Sequence, residues 1–254
     1  MEINITNKVA IVTGGTGGIG RAICEILATN GYDIAFTFHH NLEMAEELAD
    51  IIEATGRKVK YASVSLEVIS ETRDFVENVV ADMGAVNAVV YASGPDIHIK
   101  SVAETSAAEW SRVIDVDAKG AFYLVSNCLP HLRGRGGGAI VAITTSAVGR
   151  LPQNDVMSAA PKAAIELLMR GVAKEEGKYG VRANSVGPGW VDAGLGARFL
   201  KDAPPGFMKK TQQSIPLRRF GKSADIAELV AFLLSDKADY ITGQAIAVDG
   251  GMQI

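Results

Sequence analysis

Residues 9–20 read VAIVTGGTGGIG, and this stretch decides the fold. The apolar run at 9–12 suits a strand buried on both faces. Thr13 follows, and then a turn rich in glycine: Gly14, Gly15, Gly17, Gly18 and Gly20. Gly14, Gly18 and Gly20 stand in a TGxxxGxG pattern; Gly15, Gly17 and Gly20 also satisfy GxGxxG. Residues without a Cβ let backbone approach a pyrophosphate closely. The helix that begins beyond them offers free N–H groups and the positive end of its dipole. Such glycines carry more weight at the first strand-to-helix junction of a βα series than alone.

The series is there. Outward from the glycine turn, apolar β-branched runs over 8–13, 33–38, 58–63, 86–92, 138–144, 181–186 and 245–248 read as strands. Helical patterns fall between them at 19–30, 42–55, 70–83, 162–176 and 223–235, with two helical segments over 109–133 meeting near Lys119–Gly120. Gly31, Gly56 and Gly84 supply left-handed residues that end the first three helices. Alternation of this kind predicts an α/β fold of the Rossmann-like type, a doubly wound parallel sheet in three layers, α/β/α. Residues 1–254 read as a single domain, with 193–221 as a substrate lid between Gly194, Gly196 and Gly221. Ligands in such sheets bind beyond the carboxyl ends of the strands. The loops of interest are therefore 14–18, 39–41, 92–98, 145–157 and 187–200.

Composition narrows the function classes. The chain is 48% hydrophobic and 21% charged with net charge −4, a globular balance without a basic stripe, so no nucleic-acid partner is expected. No apolar run reaches the roughly 18 residues of a membrane span. The opening MEINITNKVAIV has no signal-peptide pattern, so a cytoplasmic location is expected. Cys24 and Cys128 read as reduced core thiols. His39, His40, His98 and His131 show no metal-ligand spacing, so no metal is expected.

The end of the second strand selects the cofactor. An acid there would hold the adenosine ribose hydroxyls, and a cation would favour a 2′-phosphate. The segment is TFHHN, without an acid. His39 and His40 therefore point to NADP, with NAD as the alternative.

Five stretches now add up. TGGTGGIG at 13–20, AIVAITTSAVG at 139–149, Lys162 in PKAAIELL, VRANSVGPGWVD at 181–192 and ITGQAIAVDGG at 241–251 resemble the short-chain dehydrogenase/reductase family over essentially the full chain. The nearest branch is that of 3-oxoacyl-thioester reductases and their enoyl-reductase relatives. The resemblance implies cofactor contacts from Gly14, Thr16, Gly18, Ile19, Gly20, His39, His40, Ala92, Gly94, Lys162, Pro188, Gly189 and Val191. It also implies a homo-oligomer, tetramer or dimer. In the family a tyrosine gives a proton to the substrate oxygen, and a lysine lowers its pKa and holds the nicotinamide ribose. A serine orients the substrate, and an asparagine carries a water relay.

Lys162 matches the lysine, and Ser146 matches the serine, with Thr145 as the competing register. Four positions depart. Ser158 stands in the tyrosine slot and Asp117 in the asparagine slot; YASG at 91–94 replaces the usual NNAG; Ser63 stands where an acid commonly contacts adenine. An aliphatic hydroxyl orients an oxygen but is a far weaker acid than a phenol, whose pKa is about 10. One enoyl-reductase group places its tyrosine seven residues before the lysine, which here is Asp155, an exposed loop residue by composition. A dienoyl-reductase group carries it just after the fifth strand, yet no tyrosine lies between Tyr123 and Tyr179. Tyr91, at the end of the fourth strand, is either a relocated acid or a packing residue. Asp117 either pairs with Lys162 or shuttles protons. Pro161 predicts a helix that starts near 160–161, leaving Ser158 on a loop.

Three functions follow from these residues. The first is an NADP-dependent reductase of a carbonyl or enoyl thioester with altered acid chemistry. There Lys162 holds the ribose, Ser146 or Ser158 orients the carbonyl, and Asp117 or Tyr91 assists proton transfer. The second is a non-catalytic homologue that binds ligand or joins an active paralogue in a mixed oligomer. The third is a non-redox dehydratase or cyclase with Asp117 or Asp155 as acid/base. In the lid, Phe199, Leu200, Phe207 and Met208 suit an apolar channel. Arg198, Lys209, Lys210, Arg218 and Arg219 suit a phosphopantetheine or carrier surface.

Overall fold

The computed structural model describes residues 8–194 and 205–254. Seven parallel strands form one sheet in the order β3-β2-β1-β4-β5-β6-β7. They are β1 Lys8–Val12, β2 Tyr32–Phe38, β3 Val59–Ser63, β4 Ala88–Tyr91, β5 Gly138–Ile143, β6 Val181–Pro188 and β7 Ala245–Val248. Helices cover both faces, as burial of the central strands requires. The order reverses between β1 and β4, and the crevice at that switch point is where such sheets take ligands.

Strand periodicity divides the core. Ala10, Val12, Ile34 and Phe36 pack with α1 (Gly18–Thr29), α2 (Leu42–Ala54) and the helix Ser223–Leu234. Val9, Ile11, Val89 and Tyr91 face the other way, onto α3 (Ile69–Met83), α5 (Gly120–Gly134) and α6 (Val156–Glu176). Neighbouring residues pointing to opposite faces is the period-two rule of a strand. Cys24 and Cys128 are free thiols buried one in each core. Gly31, Gly56 and Gly84 take positive φ after the first three helices. Among the described residues no helix is long and apolar enough to cross a membrane.

The helical segments over 109–133 meet at Lys119–Gly120, where α5 begins: α4 (Ala107–Val113) runs into one widened π-type turn, Ile114–Lys119, and on into α5. One expectation about helices changes: α6 starts at Val156, well before Pro161. Pro161 removes the hydrogen bond to the carbonyl one turn back and its ring crowds that carbonyl, a loss of about 3 kcal/mol inside a helix. Burial of Met157, Ala159 and Pro161 itself offsets that loss. The Asp155 carbonyl closes the first turn by accepting from the backbone N–H of Ser158 at 3.1 Å and of Ala159 at 3.0 Å. Ser158 therefore stands on a helix, one turn before Lys162, and not on a loop.

Candidate functional site

The loop after β1 is shaped by what its glycines exclude. Gly14 sits at φ +68°, and a Cβ there would lie 2.9 Å from the Ala92 carbonyl oxygen. A side chain at Gly20 would overlap the Gly14 carbonyl, and one at Gly15 would overlap the Phe36 ring. The loop is tied to β2 by Gly15 N–H donating to the Thr37 carbonyl at 2.8 Å, and to β4 by Ala92 N–H donating to Thr13 Oγ1 at 3.0 Å. Helix α1 then begins at Gly18 without a side-chain cap. Its first-turn N–H groups and dipole are what a phosphate needs. The segment after β6 closes in from above, since a Cβ on Gly18 would lie 2.9 Å from Gly194 N. These residues fit a dinucleotide pyrophosphate.

Across the switch point, the loops after β4 and the front of α6 build a side-chain cluster. Lys162 Nζ donates to Asp117 Oδ1 at 2.8 Å and to the Ser93 carbonyl at 3.0 Å. Both partners of the ion pair are secluded, with side chains 12% and 3% exposed. A buried pair of this kind is fixed in place, because separating it strands a charge away from water. Tyr91 lies beneath, fully buried, with Lys162 Nζ 5.4 Å from its ring centre. Its hydroxyl is directed at the carbonyls of Asp117 (3.0 Å) and Val116 (3.2 Å) and at Asp117 Oδ1 (3.2 Å). Those carbonyls belong to the π-type turn, and the Asp117 carbonyl also accepts from Gly120 N–H.

Tyr91 packs beneath the ion pair and is bonded into the π-type turn. Burial, and then the Asp117 carboxylate, push its phenol well above the ordinary value of 10.

Ser158, Lys162, Asp117, Gly94 and Met157 line a cavity of about 40 Å³ beside this cluster, a space the size of one or two waters. Ser146 stands elsewhere, on the loop after β5, in a short 3₁₀ turn Ser146–Val148. Thr145 Oγ1 accepts from Ala147 N–H at 3.2 Å and so serves as the cap of that turn. Asp155 is not an exposed loop residue: it is half-buried at the N-cap of α6, where its carboxylate makes no capping hydrogen bond. Desolvation raises its carboxyl to about pKa 6.

At the far end of the crevice, His39 and His40 are exposed, with ring centres 3.6 Å apart. Ser63 Oγ donates to the His39 carbonyl at 2.8 Å, so this serine braces the loop that bears them. Beyond β6, Gly189 N–H donates to the Val248 carbonyl at 3.0 Å and Val191 bridges to Gly221, which fixes the 188–191 segment. Of the lid residues, Phe207 meets Trp190 edge-on at 5.8 Å and Met208 is exposed. Arg219 pairs with Asp225 at 2.6 Å. Gly196, Arg198, Phe199 and Leu200 lie outside the described residues.

One contact had no local signal in the sequence. Gln253, beyond β7, donates through Nε2 to the Ser146 carbonyl at 2.7 Å.

A glycine cradle at the switch point, beside a buried lysine on α6, defines a dinucleotide-binding protein of the doubly wound class. Comparison with known proteins narrows the class. Residues 14–253 match the family model described as enoyl-(acyl carrier protein) reductase. The chain is 34% identical over 250 residues to the 3-oxoacyl-[acyl-carrier-protein] reductase FabG of Staphylococcus epidermidis, covering 97% of this chain and 99% of the relative. It is also 34% identical to the cyclohexanol dehydrogenase of an Acinetobacter species, covering 98% and 96% of the two chains. Among solved structures, a blue fluorescent protein from a metagenomic library in complex with NADPH superposes at TM-score 0.90 with 30% identity, covering 98% of this chain and 99% of that one. A short-chain type dehydrogenase/reductase from Mycobacterium ulcerans superposes at TM-score 0.92 with 28% identity, covering 98% and 90%. The chain belongs to the short-chain dehydrogenase/reductase family of NAD(P)-dependent oxidoreductases.

Proposed function

We propose that the chain reduces an enoyl or carbonyl thioester with NADPH, using an acid arrangement that differs from the family's tyrosine. The observation that carries this reading is the buried Lys162–Asp117 pair with Ser158 on the same cavity wall. The glycine loop and the start of α1 would hold the pyrophosphate, and Ala92, Gly94, Pro188, Gly189 and Val191 would flank the nicotinamide half. When bound, the dinucleotide supplies the hydride. Lys162, oriented by Asp117 and the Ser93 carbonyl, would hold the nicotinamide ribose. Its positive charge favours negative charge developing on a substrate oxygen nearby.

Ser146 and Ser158 would orient that oxygen by donating hydrogen bonds. Neither hydroxyl is acidic enough to protonate an alkoxide efficiently. Hydride addition to a conjugated double bond asks less of the protein, since the resulting enolate takes its proton from water. That difference favours enoyl over ketone reduction. His39 and His40, on a β2 end that has no carboxylate, support NADP over NAD. The oligomer expected from the family is a tetramer or dimer, to be measured by sedimentation.

The test is a titration with NADPH and with NADH followed by nicotinamide fluorescence, and then addition of a crotonyl and an acetoacetyl thioester. NADPH oxidation on the crotonyl thioester is the expected result. Binding without oxidation on either would replace this reading with a non-catalytic ligand-binding partner. Product formed without cofactor consumption would replace it with a dehydratase or cyclase.

A further inference from the structure

The segment after β7 crosses from one end of the sheet to the loop after β5, and it is held on both sides. Asp249 accepts through Oδ1 from Gly251 N–H at 2.8 Å and through Oδ2 from Gln253 N–H at 3.0 Å, which curls the segment into a fixed turn. Arg150 donates back to the Met252 carbonyl at 3.2 Å. Between these clamps the Gln253 carboxamide reaches the Ser146 carbonyl at 2.7 Å. This is the shortest hydrogen bond that carbonyl receives, the others coming from Gly149 N–H at 3.1 Å and Arg150 N–H at 3.4 Å. Gly149 makes room for it, because a Cβ there would overlap the Gln253 carboxamide.

We propose that Gln253 is a positioning residue: its side-chain amide fixes the Ser146 turn so that the serine hydroxyl is aimed at the substrate oxygen. The inference rests on the reading of Ser146 as the group that orients that oxygen. The physical argument is one of rotation. Ser146 is 8% exposed and opens a three-residue 3₁₀ turn, a geometry with poor internal hydrogen bonds. Thr145 holds the front of the turn through Ala147 N–H. The Ser146 carbonyl is the other handle on the same peptide plane, and a donor anchored 107 residues away in sequence sets its direction. Small misplacements of an orienting group carry large penalties in rate.

The test uses Gln253→Ala, Gly149→Ala and the double variant. Gln253→Ala removes the donor, and Gly149→Ala pushes the carboxamide off the serine carbonyl while leaving the amide in the protein. Each single variant is expected to lower kcat for the crotonyl thioester about tenfold. KM, NADPH stoichiometry and NADPH affinity are expected to stay at wild-type values. The double variant should be no worse than Gln253→Ala alone, since the collision partner of the new methyl is gone. Hydrogen exchange in peptides spanning 145–151 should speed up in both single variants.

Unchanged kcat in Gln253→Ala would overturn the proposal, as would effects of the two substitutions that simply multiply. If wild-type protein turns over neither thioester, the reductase reading falls, and Gln253 is judged by acetoacetyl-thioester binding instead. Gln253→Ala and Ser146→Ala weakening that binding equally supports the proposal; no weakening by Gln253→Ala overturns it.

Discussion

The two halves of the crevice are built from different material. The phosphate end is backbone: glycines whose neighbours leave no space for a Cβ, and a helix start that offers its own N–H groups. The chemical end is side chain: Lys162, Asp117, Tyr91 and Ser158 around a small cavity. A backbone site tolerates almost no substitution, because an added atom meets main chain at Gly14, Gly18 and Gly20 and the Phe36 ring at Gly15. A side-chain site can be rewritten one residue at a time so long as charge and volume stay balanced. The first half rests on the glycine pattern at 13–20, while the second rests on Lys162, Asp117 and Ser158 around one cavity.

The sharpest way to break this comparison is at the ion pair. Lys162→Met strands the Asp117 carboxylate, 2% exposed, without its cation. Loss of one partner of a buried pair costs about 3–5 kcal/mol, so urea denaturation should show a fall of that size. Asp117→Asn, which keeps an acceptor for Lys162, should lose less than half as much. A Lys162→Met protein as stable as wild type would mean that the pair is solvated.

Next in size is Gly20→Ala, where the new methyl would collide with the Gly14 carbonyl. Overpacking of this kind costs roughly 1–3 kcal/mol. Concentrated at the phosphate turn, it should weaken NADPH binding about 100-fold at the upper end of that range. If Lys162→Met harmed nucleotide affinity more than Gly20→Ala does, the division into a binding half and a chemical half would be wrong.

Tyr91→Phe sharpens the side-chain half. It deletes a hydroxyl that serves the π-type turn and Asp117, with an expected stability loss of about 1 kcal/mol. Turnover should survive, since the phenol keeps its proton. Abolished activity with an intact melting transition would assign Tyr91 the role of acid.

The smallest effect concerns Asp155. Its carboxyl titrates near pH 6 in the folded protein, above the ordinary value of 3.8. The folded state therefore binds this proton more tightly than the unfolded chain. The resulting stability is complete below about pH 4 and is lost as pH rises through 6. Asp155→Asn should leave the melting temperature at pH 4 unchanged and raise it at pH 8. The gain should be about 1 kcal/mol once solvent screening of this half-exposed group is counted.

The same division explains what could be read from the chain beforehand. The strands were legible because runs such as VAIV and AIVAI report burial directly. The glycine loop was legible because its requirements are local, within a dozen residues. Lys162 could be placed because a family pattern surrounds it. The start of α6 was misjudged from Pro161, since the burial of Met157 and Ala159 is a tertiary fact. The sequence shows no single role for Tyr91 because its partners lie 25 and 26 residues away, in a turn whose widened form no local pattern announces. Gln253 was invisible for the same reason over a longer distance.

That widened turn has an evolutionary consequence. A π-type winding holds more residues per turn than the α-helix on either side, so Ile114–Lys119 behaves as a helix carrying extra length. Deleting one residue there would let the ladder close into ordinary α geometry. Each residue of an α-helix turns about 100°, so Asp117 would swing away from Lys162 and its carbonyl away from Tyr91. The chemistry of this crevice is therefore written in chain length as well as in residue identity. An alignment that preserved Asp117 and Lys162 but lost one residue in that turn would describe a different site.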